Sequence, residues 1–262
     1  MTQLHFFKYQ GTGNDFVILD NRAGEYEDIT TAQVHQLCDR RFGIGADGLM
    51  LLNKHANYDF AMKYYNADGQ EGSMCGNGGR CLVKFAFDCG LGRSTYRFIA
   101  VDGEHEAEID TQSRVRLKMQ DVSSITEVND DAVLNTGSPH YVKMVTNLLT
   151  YDVYNKGKEI RYNALFQPGG INVNFVETQD DDEIMVRTFE RGVEDETLSC
   201  GTGVTAAALV NYHNDLGFNQ VKVTTRGGKL WVEFDRHEDG SYTNIWLCGP
   251  AEKVFQGAIS LA

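Results

Sequence analysis

No stretch of this chain approaches the ~20 consecutive apolar residues that a helix needs to cross a bilayer. Basic charge is also scarce: 24 Lys and Arg against 37 Asp and Glu leave a formal net charge of −13. That balance argues against nucleic acid, whose phosphates are held by Lys and Arg, and against anionic membrane surfaces. The N-terminus, Met1-Thr2-Gln3-Leu4-His5-Phe6-Phe7-Lys8, lacks the basic region and small-residue cleavage site of a signal peptide. A cytoplasmic location is the expectation. Six cysteines occur, but none in Cys-x-x-Cys spacing, which argues against structural zinc and dithiol redox chemistry. A disulfide framework suits short secreted chains, not 262 residues without a signal. No Gly-x-Ser-x-Gly elbow of a serine hydrolase is present. Gly11-Thr12-Gly13 has no third glycine at dinucleotide spacing.

What the chain does have is a repeated motif: Cys75-Gly76-Asn77-Gly78-Gly79-Arg80 and Cys200-Gly201-Thr202-Gly203. In each, a cysteine leads a glycine-rich turn that opens into an apolar run of helical character. A cysteine at a helix N-terminus sits among backbone N–H groups lacking intrahelical partners, where the helix dipole favours negative charge, so its thiol acidity rises. The glycines let the backbone close around an anion such as a carboxylate. A net negative protein still binds a zwitterion through local amides and arginines. Cys38, Cys81, Cys89 and Cys248 lack this context and read as small buried hydrophobes.

The two motifs lie about half the chain apart, each between groups of extended segments. Leu4–Asp20 reads as a hairpin around its glycine turn, and Thr30–Arg40 as a helix capped by Thr30 or Thr31. Strands are expected at 48–52, 59–66, 96–101, 104–110 and 114–119 in the first half. In the second they are expected at 137–143, 170–177, 183–190, 220–225, 229–234 and 243–248. The pattern predicts two similar α/β domains from an internal duplication, with a cleft between them. Residues 1–121 carry Cys75 and residues 122–250 carry Cys200, with the boundary in the polar stretch Asp121–Asp131. The tail 251–262 is expected to pack back on the first domain.

Candidate binding residues gather near the motifs. Glu190-Arg191-Gly192 precedes the second cysteine loop, and a guanidinium grips a carboxylate in bidentate fashion. Asn14, Asn66 and Asn172 sit at strand ends or beside glycine, where turn formation is the ordinary use of asparagine. Together they offer neutral donors and acceptors to a polar ligand. His140 follows Gly137-Ser138-Pro139.

With these residues the chain resembles the diaminopimelate epimerases, racemases that work without pyridoxal phosphate. The likeness spans nearly the whole sequence. It takes in Gly13-Asn14-Asp15-Phe16, Gly43-Ile44-Gly45-Ala46-Asp47-Gly48, Asn66-Ala67-Asp68-Gly69, the Cys75–Cys81 loop and Ser138-Pro139-His140. It continues through Asn172-Val173-Asn174-Phe175 and Glu190-Arg191-Gly192 to the Cys200 loop. The resemblance implies an α+β fold of two pseudo-symmetric domains, each a curled, mostly antiparallel sheet around a central helix. It implies a homodimer and epimerisation of LL-2,6-diaminopimelate to the meso isomer, for lysine and peptidoglycan precursors. Cys75 and Cys200 then act as a thiolate and thiol on opposite faces of the substrate α-carbon. Gly76-Asn77 and Gly201-Thr202 hold the α-carboxylate. Asn14, Asn66, Asn172 and Arg191 grip the distal amino-acid end, and His140 and Glu190 contact the reacting amino group. No cofactor or metal is implied, and neither cysteine loop contains a lysine for a pyridoxal imine. The chain departs from many members at Ser138, where they carry asparagine, and from some at Gly48, where they carry glutamine. The rival readings within the fold are proline or hydroxyproline racemases and phenazine-type isomerases. Arg191 beside Glu190 favours a substrate with a second charged end, which proline lacks, and the phenazine-type isomerases lack the cysteine pair.

Overall fold

In the computed structural model, which describes residues 3–211 and 213–260, the N-terminal hairpin pairs β1 (Gln3–Gly11) antiparallel with β2 (Asn14–Asp20). Gly11 faces Asn14 across a two-residue turn whose φ values, 49° at Thr12 and 84° at Gly13, are both positive. Such turns match the right-handed twist of a hairpin. Glycine enters that region freely, whereas the β-branched Thr12 is held there against its preference.

The chain divides into two compact units, Met1–Leu117 with Pro250–Ala262, and Lys118–Gly249. In the first, α1 (Thr31–Cys38) carries the chain from β2 to the parallel strand β3 (Gly48–Asn53). Thr30 and Gln33 close a reciprocal capping box at its start. β4 (Phe60–Asn66) follows antiparallel to β3, with the short β5 (Glu71–Gly72) beside it. Then come α2 (Gly76–Ala86), β6 (Thr95–Ala100) parallel to β4, β7 (Gly103–Ile109) and β8 (Val115–Lys118).

The second unit repeats this order. β9 (Thr126–Val128), β10 (Asp131–Asn135) and β11 (Pro139–Met144) form a meander. α3 (Val153–Arg161) crosses to the parallel β12 (Asn172–Asp180), followed by the antiparallel β13 (Glu183–Glu190) with β14 (Asp195–Thr197) at its side. α4 (Gly201–Val210) leads to β15 (Gly217–Thr225), parallel to β13, and then to β16 (Gly228–Arg236) and β17 (Tyr242–Gly249). Finally β18 (Glu252–Ser260) pairs with β1 in the first unit. The polar stretch 121–131 is therefore not bare linker, since β9 lies in it. α3 and β18 are additions that the sequence reading lacked.

Each sheet curls around one apolar helix. α2 touches β1, β2, β3, β7 and β18, and α4 touches β10–β13 and β15–β17. A helix enclosed on all sides must be apolar or small all round. α4 meets that demand with Val204, Ala206, Ala207, Ala208 and Leu209, all buried. α1 and α3 cover the outer faces of their sheets over separate cores: Val17, Leu19, Val34, Leu37, Leu49 and Leu51 in the first unit, Leu148, Val153, Val173, Phe175 and Phe189 in the second.

Gly157 lets α3 rest directly on β13, because a Cβ there would lie 2.3 Å from the Cβ of Phe189. Alanine is the better helix former by about 1 kcal/mol, yet overpacking costs about 1–3 kcal/mol. Gly157→Ala is thus expected to lower the urea midpoint. A raised midpoint shows that α3 shifts outward without loss.

Candidate active site

The α2 N-terminus is built on a chain of polar side chains within the first unit. Cys75 is the N-cap residue, half-buried, and its Sγ accepts from the Gly78 backbone N–H at 3.2 Å. Arg80, one turn on, is fully buried, and its guanidinium donates to Gly76 O at 3.2 Å, Asn77 Oδ1 at 3.0 Å and Thr12 Oγ1 at 3.4 Å. Asn77 Nδ2 reaches Asn14 Oδ1 at 3.3 Å, and Asn14 Nδ2 donates to Asp47 Oδ2 at 2.6 Å. The direction of this chain is set by its ends. A guanidinium only donates and a carboxylate only accepts, so both amides turn oxygen toward Arg80 and nitrogen toward Asp47.

Asp47 joins an ion cluster behind Asn14. Arg40 contacts Asp47 and Asp15 at 2.7 Å each, and the buried Lys8 contacts Asp15 at 2.7 Å and the Gly45 carbonyl. Burial raises the Asp15 pKa, but the hydrogen bonds and charges of Arg40 and Lys8 outweigh it and bring the value down to about 2. Strand register places Asn66 at the same end of the sheet as Asn14: Asn66 faces Gly48, which faces Phe16. Asn66 is exposed, and its backbone closes the turn to Gly69 and Gln70. Gly48 has no room for a side chain, since a Cβ would lie 2.5 Å from the Tyr64 ring.

In the second unit Cys200 is the N-cap of α4, buried, with its Sγ 3.5 Å from Thr202 Oγ1. Thr136 Oγ1 donates to the Thr202 carbonyl at 2.8 Å and ties this helix start to the β10–β11 loop. Asn172 is buried at the head of β12, donating to Ser138 Oγ at 2.8 Å and Pro139 O at 3.1 Å while accepting from the Arg191 backbone N–H at 2.9 Å. The Arg191 guanidinium lies 3.3 Å from Gly169 O and 3.4 Å from Ser138 Oγ, long contacts that leave it able to exchange partners. His140 is fully buried beside Asn172 in register, and burial followed by the Arg191 charge lowers its pKa to about 3. Glu190 ends β13 immediately before Arg191, half-buried.

Within the first unit the structure thus brings together Asn14, Gly76, Asn77 and Cys75, with Asn66 at the same sheet end. Within the second it brings together Gly201, Thr202 and Cys200, and Asn172 with Arg191 and Ser138. Among the other thiols, burial pushes Cys38 up to about 12 and raises Cys81 and Cys89 as well. Among the described residues no group of three or more His, Cys, Asp or Glu is placed to hold a metal. No helix among them is long and apolar enough to cross a membrane. Sequence reasoning did not single out Arg80, Asp47 or Thr136 as site residues. Nothing in the sequence sets Arg80 apart from Lys84, the other cation of α2.

Asp15 is the more acidic in the folded state, so its stabilising contribution is complete above its ordinary value of 3.8. It is lost as pH falls through about 2. Between roughly pH 5 and pH 2, urea stability of Asp15→Asn should therefore fall less steeply than that of the unsubstituted protein. Equal slopes would show that this cluster is not a source of acid lability.

A profile of the diaminopimelate epimerase family matches residues 6–125 and 132–254. A diaminopimelate epimerase of Flavobacterium psychrophilum is 47% identical over 257 residues, covering 98% of this chain and 100% of that one. One from Chlorobaculum tepidum is 45% identical over 261 residues, covering 96% and 99%. Among solved structures, a phenazine biosynthesis protein of the PhzF family from Bacillus anthracis superposes with a TM-score of 0.77 over 100% of both chains at 15% identity, a likeness of fold alone. With its two cysteine-capped helices inside duplicated curled sheets, and with these full-length matches, the chain belongs to the diaminopimelate epimerase family of isomerases.

Proposed function

We propose that the protein epimerises LL-2,6-diaminopimelate to the meso isomer without a cofactor or metal, in the cytoplasm, supplying lysine and peptidoglycan precursors. The observation that carries this reading is the pair of cysteines capping enclosed helices, one in each unit. Inversion at a carbon needs a base on one face and an acid on the other. Cys75 and Cys200 fill those roles, one thiol removing the α-proton while the other delivers a proton from the far side.

The electron pair left on the α-carbon spreads into the α-carboxylate. Gly76-Asn77 and Gly201-Thr202 stabilise that growing charge with first-turn N–H groups, which have no intrahelical acceptor. Each helix N-terminus contributes roughly 0.3–2 kcal/mol to an adjacent anion. Asn14, Asn66, Asn172 and Arg191 bind the distal amino-acid end, and His140 and Glu190 lie at the reacting end. The polarity of the Arg80–Asn77–Asn14–Asp47 chain supports the role of Asn14. With its oxygen committed to Asn77 and one N–H to Asp47, Asn14 meets a ligand as a donor, as a carboxylate requires.

Incubation with LL-diaminopimelate in deuterated water is expected to show deuterium entering the α-position and the meso isomer accumulating by NMR. Cys75→Ala and Cys200→Ala should each fold normally yet lose turnover by at least roughly a hundredfold, the low end for removal of a general acid or base. Near-normal turnover by either variant rules out the two-thiol mechanism.

The protein acts as a homodimer. β18 supports this reading, because residues 252–256 are exposed along the strand, with Val254 55% and Phe255 46% accessible. Two large apolar side chains on an exposed strand mark a surface suited to a partner. Phe255→Glu is expected to give monomers in sedimentation velocity; a dimer of unchanged affinity places the interface elsewhere.

A further inference from the structure

His140 stands at the second position of β11, and its two ring nitrogens have unlike surroundings. Nδ1 lies 3.1 Å from Asn174 Nδ2, whereas Nε2 is buried and meets no hydrogen-bonding atom among the described residues. The orientation of the Asn174 amide is fixed by its other neighbours. Its Nδ2 lies 3.0 Å from the Tyr141 carbonyl oxygen, which can only accept, and its Oδ1 takes the Thr188 hydroxyl at 2.9 Å. Turning the amide over would set oxygen against the Tyr141 carbonyl. α4 holds the arrangement in place: a Cβ on Gly203 would lie 2.3 Å from Asn174 Oδ1, so the helix that Cys200 caps packs directly on this amide. With a donor opposite it, Nδ1 must present its lone pair, and the single proton of a neutral ring resides on Nε2.

We propose that Asn174 is a positioning residue that locks His140 as the neutral Nε2–H tautomer, making its free edge a hydrogen-bond donor. The lock itself stands on the second unit alone; the identity of what it serves rests on the function proposed above. A ring of this tautomer has no lone pair to offer an ammonium. His140 therefore pairs with an acceptor at the reacting end, a carboxylate oxygen or an ionised thiol, and the amino group is left to Glu190. Burial and the Arg191 charge disfavour a second proton on the ring, which agrees with this assignment.

Long-range 1H–15N correlation spectra of the free protein labelled with 15N-histidine read the tautomer without reference to activity, with His140 assigned through His140→Gln. The expected signature is a protonated Nε2 and a lone-pair Nδ1, unchanged between roughly pH 5 and 8, where an ordinary histidine titrates. Asn174→Asp puts an acceptor opposite Nδ1 and should move the proton there or add a second. Asn174→Ala should give a mixture of tautomers. Should Asn174→Asp fail to fold, the unsubstituted protein and Asn174→Ala still decide. An Nδ1–H or doubly protonated ring in the unsubstituted protein overturns the proposal, as does a spectrum that Asn174→Ala leaves unaltered. In turnover, Asn174→Ala should lower kcat, by less than the roughly hundredfold loss that marks the low end for removing an acid or base outright. If the tautomer is as assigned but diaminopimelate shows no α-exchange, the functional reading fails while the lock stands.

Discussion

An α-helix enclosed by protein on all sides cannot turn its first-turn N–H groups toward bulk water, and much of this structure follows from that constraint. In α2 every residue except Lys84 is buried, and in α4 all but Thr202 and Val210 are. Four N–H groups at each start lack an acceptor within the helix. Cysteine at the N-cap answers part of this need at α2 with a sulfur that accepts from Gly78. Sulfur is a weak acceptor as a thiol and a strong one as a thiolate, so the same geometry that closes the helix favours the ionised form. Glycine at Gly78, Gly79 and Gly203 lets neighbouring side chains close in on these starts. At Gly78 a Cβ would lie 3.1 Å from the Cys75 sulfur, and at Gly203 it would run into Asn174.

Around these helix starts, amide side chains take their direction from groups that cannot reverse. Arg80 and Asp47 orient Asn77 and Asn14 from opposite ends, and the Tyr141 carbonyl orients Asn174. An asparagine alone is ambiguous, presenting oxygen or nitrogen with nearly equal ease. Anchored to a guanidinium, a carboxylate or a backbone carbonyl, it becomes a fixed donor or acceptor. A buried guanidinium is costly to desolvate, and Arg80 recovers part of that cost through Gly76 O, Asn77 Oδ1 and Thr12 Oγ1. The left-handed φ of Thr12 keeps its hydroxyl within reach of this group, so backbone strain in the hairpin turn and charge burial in the helix are linked at one contact.

The cysteine-led helices and most strands were legible because period-2 alternation and the glycine-rich starts survive in the sequence. α3 was not. Val153–Arg161 buries only Val153 and Gly157 and is otherwise polar, so its hydrophobic stripe is too narrow to read. The repeat itself held the clue. α1 links parallel strands in the first unit, and a second copy needs a crossover between β11 and β12. β18 escaped because residues 252–256 are accessible on both faces and burial alternates only over the last few residues. β9 is three residues in a polar stretch. The site was legible as residue types near glycine turns, but its wiring was not. Lys8, Arg40 and Arg80 look in sequence like solvated charges, and only the fold shows Lys8 and Arg80 enclosed.

The two helix starts share a place in the repeated topology and differ in chemistry. Cys75 accepts an N–H from its own first turn, and Asn77 and Asn14 lead from that turn to a cluster of two carboxylates, Lys8 and Arg40. Cys200 forms no such cap bond; its neighbours are the Thr202 hydroxyl, with amides and an imidazole further along the sheet. A racemase with equivalent faces would have no use for that difference. A substrate with one reacting centre and a distal end that must be held still presents unlike surroundings to its two sides. One start beside fixed charges, and the other beside amides, an imidazole, Glu190 and Arg191, suits the proposed substrate, whose reacting and distal ends differ.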